Sequence, residues 1–507
     1  MIVKIQFYTN ITHPILIMLQ LTINRNSPES IFIQLVNQII ELIEKDVITK
    51  GYRLPATRQL ARKTGVNRST IVRVYEELWA RGYVDSRMGS YTRVRKRKKI
   101  VLPNNESRGS NEEEGFAMNY LAGSDHINVR NFTRLITADT QGVVNLQRLE
   151  PDPGLVNRKL FGSCFRQAIN DNKFDLFGYC HPRGYEPLRN TIIKQMQLHS
   201  INSSDENILI TNGSQNSLQL LFQAFLRKDE NIVIESPTYS MIIPLIHQYG
   251  ARVFEIPVRK DGLDINALRN IMEKHQIRLI YTMPTLHNPT GITMSQKKRE
   301  ELLQLCERHG TIIIEDSFEE ELKYFGKTHL PIKSMDSRGV VIYLGTFSKV
   351  LSPGLRTGWI IGNPNFISRL TDLKTAFDLT SNTLSQVLLY RFCIAHGYEL
   401  HIRKLSRVFR KRMNIALKAL RLYLPHGKAQ WYEPLGGFLI WLRIITKRKD
   451  INFEEYFGSY GVRVSNGNSF FYSPAENDHI RISISKSSET EIEEGIRRIG
   501  QGLQQLD

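Results

Sequence analysis

The sequence predicts a multi-domain chain, with a small, mostly α module followed by a large α/β domain built on a mostly parallel sheet. A smaller α/β subdomain is expected at the C-terminal end. Three observations predict this. At 507 residues the chain is too long for one core, and a prior of about 150 residues per domain gives two to four. Between Ser30 and Ile100 there are 16 Lys/Arg against 6 Asp/Glu, an excess of ten, while the rest of the chain shares the remaining eight of the net +18. Beyond about residue 200, short apolar runs alternate with amphipathic ones, the pattern of buried strands separated by helices.

Composition excludes several classes. An apolar fraction of 41% with 23% charged residues is that of a globular protein rather than a disordered one. Cys164, Cys180, Cys306 and Cys393 lie far apart without paired spacing, which argues against a disulfide framework or a zinc site and fits a reducing cytoplasm. The apolar start, MIVKIQFYTNITHPILIMLQLTI, is broken by His13, Pro14 and Gln20 and falls short of the ~18 residues a membrane span needs. Residues 1–18 read as an extension, 19–95 as the first domain, 96–142 as a linker and 143–507 as the large domain, with the subdomain over about 400–507.

In the basic segment, Ser27-Pro28 predicts a helix start, a cap residue followed by proline at the first helical position. Phe32, Leu35, Ile39 and Leu42 then form one apolar stripe. A second helix, TRQLARKTG, stops at Gly65, and Asn67 caps a third, NRSTIVRVYEELWARG, with Ile71, Val74 and Leu78 inward. Two helices joined by a tight glycine-containing turn make a helix-turn-helix, and YVDSRMGSYTRV alternates around Met88-Gly89 as a two-stranded wing. The third helix presents Arg68, Ser69 and Thr70 in its first turn, where base edges and phosphates can be reached; Arg58 and Gly89 are placed against the DNA backbone. Charge alone is equally compatible with a solvated basic face. The stretch RVRKRKK closes the domain, and the polar, mixed-charge PNNESRGSNEEEG reads as a spacer.

In the large domain, the runs ENILIT, NIVIES, ARVFEI, IRLIYT, GTIIIED, GVVIYLG and RTGWIIG predict the strands. Ligands of such sheets gather at the carboxyl ends of strands. There Gly213-Ser214-Gln215 opens a helix as a phosphate cradle, Asn288 stands in HNPTG, and Glu315-Asp316 ends a strand with buried carboxylates that need a cationic partner. Lys349 follows the strand GVVIYLGTFS. A phosphate site, an amide, a carboxylate and a lysine on neighbouring strand ends meet the needs of pyridoxal 5'-phosphate (PLP): Schiff-base formation and a protonated pyridine that withdraws electrons.

The stretch PATRQLARKTGVNRSTIVRVYEELWARG with its glycine wing resembles the GntR class of winged-helix repressors over roughly residues 28 to 95, departing at Ala56, where that class often has a capping serine. Residues 143 to about 505 resemble fold-type I aminotransferases, most specifically in GTFSKVLSPGLRTGW, and the fusion resembles the MocR/GabR class of transcriptional regulators. The resemblance implies that Lys349 is the Schiff-base lysine, that Thr346, Ser348 and Arg356 hold the phosphate, and that Asp316 pairs with the pyridine nitrogen. It further implies that Asn288 binds the ring hydroxyl, Tyr239 stacks on the ring and Tyr179 reaches a neighbouring subunit's phosphate in a homodimer. Arg481, in HIRISIS, matches the arginine that takes a substrate carboxylate bidentately. The expected function is a cytoplasmic, PLP-dependent regulator that binds operator DNA and senses PLP, an amine or an amino acid; the alternative is a working aminotransferase with an accessory DNA-binding domain. Asp316-Ser317-Phe318 lacks the tyrosine that such regulators commonly carry two residues after the aspartate, which argues against efficient transamination, whereas Asn288 matches true aminotransferases.

Overall fold

The structure is a computed structural model that describes residues 2–5, 21–85, 91–95, 142–171, 176–318, 320–326, 329–448, 451–475 and 478–506. The chain divides into two compact units, Met1–Ala117 and Met118–Asp507.

In the first unit, β1 (Ile2–Ile5) pairs antiparallel with β2 (Leu21–Asn24), so part of the stretch expected to be a mere extension is strand. Helix α1 spans Ile31–Glu44 and is capped by Ser30, whose side chain accepts from the Ile33 amide. The expected start at Ser27-Pro28 lies one turn too early. Gln34 donates to the carbonyls of Asn24 and Glu29, which fixes residues 24–29 as a loop, and the Ser27 hydroxyl accepts from the Glu29 amide inside it. Helix α2 (Thr57–Thr64) ends on Gly65 at φ 62°, and Ala56 caps it without a side-chain bond. Helix α3 (Arg68–Ala80) starts at Asn67, which accepts from the Ser69 amide. Leu35, Ile39, Leu60, Ile71, Val74 and Leu78 are fully buried and form the core. The wing is β3 (Val84–Asp85) against β4 (Arg93–Val94), and residues 51–54 extend it through Gly51 N–H to Val94 O and Leu54 N–H to Thr92 O. The wing tip, with Met88 and Gly89, lies outside the described residues.

The second unit begins at β5 (Val144–Asn145). Its main sheet comprises β6 (Ile208–Thr211), β7 (Asn231–Ser236), β8 (Arg252–Arg259), β9 (Gly262–Leu263), β10 (Leu279–Thr282), β11 (Ile312–Asp316), β12 (Val341–Thr346) and β13 (Gly358–Ile361), in the order β6-β13-β12-β11-β10-β7-β8-β9. Pairing is parallel from β12 through β8, and β13 runs antiparallel to both its neighbours. The strands are apolar on both faces because both are covered: Val233, Ile280, Ile313 and Val341 enter one core cluster, and Ile234, Tyr281, Ile314 and Ile342 the other. A smaller antiparallel sheet of β14 (Ala429–Trp431), β15 (Leu439–Ile444), β17 (Ser465–Asn466) and β18 (His479–Ser483) packs with helices Gly397–Tyr423 and Glu489–Gln504. Strand β16 (Val462–Arg463) pairs with β5. Among the described residues no helix is long and apolar enough to cross a membrane, and no group of His, Cys, Asp and Glu is placed to hold a metal ion.

Candidate cofactor site and nucleic-acid interface

Strand ends of the main sheet carry most of the expected residues of the second unit, with Arg481 supplied by β18 of the smaller sheet. After β6 the chain turns through Asn212 and Gly213 into helix Ser214–Phe225, with Gly213 at φ 94°. Glycine is favoured here by its left-handed φ, and a Cβ would stand 2.8 Å from the Arg356 guanidinium, which would have to shift. Ser214 and Gln215 form the first turn, whose N–H groups lack intrahelical acceptors and face outward at the positive end of the helix. Arg356, itself at φ 47°, donates from Nη2 to the Asn212 carbonyl at 2.9 Å and so closes the other side of the turn. At the end of β12, Thr346 Oγ1 accepts from the Ser348 amide at 3.1 Å. The Ser348 hydroxyl is buried with no hydrogen-bond partner among the described residues. Lys349 follows, half-buried.

Asp316 ends β11 and is 4% exposed. Its Oδ2 accepts from the Tyr281 hydroxyl at 2.8 Å. Burial pushes the carboxyl up to about 6, against the opposing pull of the Tyr281 hydrogen bond and the Lys349 charge. Burial and the neighbouring Asp316 raise the Tyr281 phenol far above its ordinary value, so it stays a donor at any working pH. The Lys349 charge acts on Asp316, and the hydrogen-bond partner of its Oδ2 is Tyr281, a phenol that the sequence did not single out. Glu315 turns to the other face and accepts the Ile332 and Lys333 amides at 2.9 and 2.8 Å.

Asn288 is buried, and its Oδ1 accepts from Arg481 Nη1 at 3.1 Å. Arg481, from β18, also donates to Ser465 Oγ at 2.9 Å and lies 4.8 Å from the centre of the Phe470 ring. Tyr239, half-buried after β7, has its hydroxyl 3.5 Å from Gln215 Oε1. Burial raises its phenol, Asp316 adds to the rise, and Arg481 and Arg356 oppose it, so all four groups share one electrostatic environment. Tyr179 stands apart from this group at 83% exposure. Phe318 is buried in the main core, so no phenol stands where the missing tyrosine was expected.

A supporting layer was not found from sequence. Glu235 accepts from Thr282 Oγ1 and the Met283 amide, both at 2.8 Å, and lies 3.3 Å from His287 Nε2; His287 Nδ1 pairs with Thr290 Oγ1 at 2.8 Å. Arg299, fully buried, donates to the Pro284 and Met294 carbonyls and to Thr285 Oγ1, which fixes both ends of the loop carrying Asn288. Lys374, also fully buried, sits 3.2 Å from Asp378 Oδ1 and donates to the Pro182 carbonyl at 3.3 Å. Asp378 Oδ2 in turn accepts from Asn212 Nδ2 at 2.6 Å, so the turn into helix Ser214–Phe225 is held from behind. The one sequence signal was a lysine on the buried stripe Ile367, Leu370, Lys374 of helix Pro364–Asp378.

In the first unit, Arg58 and Arg68 are exposed, Thr70 is half-buried, and the Ser69 hydroxyl donates to Asn67 Oδ1 at 3.0 Å within the cap. Tyr75 anchors α3 by donating to the Pro55 carbonyl at 2.7 Å, while the exposed Arg73 lies over the Phe32 ring at 5.0 Å.

Comparison with known proteins gives two family matches. The model for aminotransferase class I and II covers residues 159–499, and that for bacterial regulatory proteins of the gntR family covers residues 33–94. The chain belongs to the class I and II aminotransferase family. Ahead of that aminotransferase domain stands a GntR domain. The aromatic-amino-acid aminotransferase 1 of Thermococcus litoralis is 31% identical over 383 residues, 74% of this chain and 91% of that protein. The uncharacterized HTH-type transcriptional regulator YisV of Bacillus subtilis is 31% identical over 464 residues, 90% of this chain and 92% of that one. A crystal structure of the kynurenine aminotransferase of Pyrococcus horikoshii, solved in complex with PMP, matches with TM-score 0.72 at 29% identity over 78% of this chain and 98% of that one. The donor set of the aminotransferase domain fits pyridoxal phosphate: an unpartnered buried hydroxyl at Ser348, a left-handed glycine turn at Gly213, a buried carboxylate at Asp316 and an amine at Lys349.

Proposed function

We propose that this aminotransferase-family chain is a PLP-dependent, DNA-binding transcriptional regulator that senses PLP, an amine or an amino acid at the strand-end site. One observation carries the reading: a GntR domain and the full lysine, carboxylate and cradle set occur in one chain. When bound, PLP supplies an electrophilic aldehyde and an electron-withdrawing pyridine ring. Lys349 Nζ would be the amine available to the aldehyde. Asp316 would hold a proton on the ring nitrogen, with Tyr281 orienting the carboxylate through its 2.8 Å bond. The first-turn amides at Ser214 and Gln215, with Thr346, Ser348 and Arg356, would hold the phosphate. Asn288 would donate to the ring oxygen, Tyr239 would stack on the ring, and Arg481 would take an effector carboxylate with its planar fork. The exposed Tyr179 reaches the phosphate of a second copy, which makes the protein a homodimer.

The DNA-binding domain is taken as residues 19–95, with 96–142 as linker and 143–507 as the sensing domain, all in the cytoplasm. Arg68 and Thr70 on α3 face the major groove, with Arg58 and Gly89 on the backbone and Ser69 bracing the cap. Binding at the sensor alters DNA affinity only to the extent that two arrangements of the protein differ in affinity for the ligand. The test measures binding of the full chain to a duplex that it selects from a random pool, with and without PLP and amino acids. A change of about fivefold or more supports the reading, and constant affinity under all conditions refutes it. Aminotransfer is the second reading, favoured by the Asn288–Arg481 contact, and steady turnover of an amino donor with a 2-oxo acid at enzyme-like rates would establish it.

A further inference from the structure

Helix Gly397–Tyr423 reads GYELHIRKLSRVFRKRMNIALKALRLY and carries eight Lys/Arg against one acidic residue, Glu399. Of the net +18, ten fall between Ser30 and Ile100 and seven on this helix, which leaves one for everything else. The helix buries its apolar stripe, Leu405, Phe409, Met413, Ala416 and Leu420, in the core. Arg403, Arg407, Arg410, Lys418 and Arg421 are exposed on the opposite side, within an arc of about 80° at ~100° per residue. At ~1.5 Å rise per residue the stripe runs about 27 Å.

Part of the charge is neutralised within the fold. Arg421 pairs with Glu433, Lys411 with Glu489 at 2.8 Å, and the buried Arg412 with Asp152 at 2.8 Å. Arg410 lies over the Phe325 ring at 4.9 Å and keeps its charge. Arg403, Arg407 and Lys418 make no ion pair among the described residues. A helix face that serves only solubility mixes signs, because like charges one turn apart repel at about 0.2–0.5 kcal/mol per pair. The helix itself carries no acidic residue from Arg403 to Arg421, Glu433 answers Arg421 alone on the stripe, and a polyanion relieves the remaining repulsion.

We propose that this stripe is a second DNA-contacting surface, binding the phosphates of duplex DNA without regard to sequence. The choice of DNA rests on the regulator reading above, through the GntR domain on the same chain. An anionic membrane fits less well, since a surface-lying helix needs its apolar side free, and here that side is core.

The test uses the full chain, a random-sequence 60-bp duplex and fluorescence polarisation over a range of salt. In the triple variant Arg403→Ala/Arg407→Ala/Lys418→Ala the slope of log affinity against log salt becomes shallower by about 2.7, the value for three lost phosphate contacts. All three positions are solvent-facing and alanine suits a helix interior, so the melting midpoint stays put and confirms the fold. Arg58→Ala, at the residue placed on the DNA backbone, serves as the control and shallows the slope by about 1. Parent-like slope in the triple variant, with Arg58→Ala still effective, overturns the stripe and spares the regulator reading. A parent chain that shows no salt-dependent DNA binding defeats both. Loss of binding to phosphatidylserine vesicles with unchanged DNA binding assigns the stripe to membranes and overturns the proposal.

Discussion

Asp316 is where burial and charge compete most directly. Its carboxyl, raised from 3.8 to about 6, binds a proton more tightly folded than unfolded. Without cofactor it therefore adds stability at low pH, up to about 3 kcal/mol, and that contribution is lost as pH rises from about 4 to about 6. The difference between parent and Asp316→Asn in urea midpoints, measured at pH 4 and pH 7, isolates this contribution; an equal difference at both pH values would contradict it. Lys349→Ala is expected to bind no PLP covalently and to show no visible absorbance band, with circular dichroism unchanged. Arg481→Lys keeps the charge and loses the fork, so carboxylated amino acids should bind about tenfold more weakly while amines without a carboxylate and PLP bind as before. Titration calorimetry separates the two ligand classes.

At the scale of elements, what was legible in the sequence was local. Gly65 at φ 62° and Asn67 as a side-chain cap stand where the sequence put them, because each acts within two residues. Asn288, Asp316 and Lys349 were legible because strand ends announce themselves by an apolar run that stops. The start of α1 was misread since Ser27 and Ser30 offer equal caps, and Gln34, folding back on Asn24 and Glu29, decides between them. Tyr281 and Lys374 escaped for the opposite reason: their partners are remote, as with Lys374 and Pro182, 192 positions apart, while Arg299 bonds a neighbouring loop whose path the sequence does not reveal. Two expectations belong here. Ile71→Ala, at a fully buried position of α3, should cost about 2–5 kcal/mol and abolish DNA binding by unfolding the GntR domain. Arg68→Ala at the exposed start of the same helix should weaken DNA binding without moving the melting midpoint, as gel shift and calorimetry would show together.

For the whole molecule, two units with separate cores make ligand linkage local. Calorimetry should resolve two transitions, and saturating PLP should raise only that of the aminotransferase domain, by about 2.7 kcal/mol at a hundredfold excess over Kd. Regulation requires more than this: the state of the sensor has to reach the DNA-binding domain. The most direct measurement compares the affinity of parent and Lys349→Ala for a duplex selected by the full chain, each with and without PLP. The account expects PLP to change the parent's affinity about fivefold or more and to leave the variant's unchanged. Equal responses in the two proteins, or none in either, would contradict it.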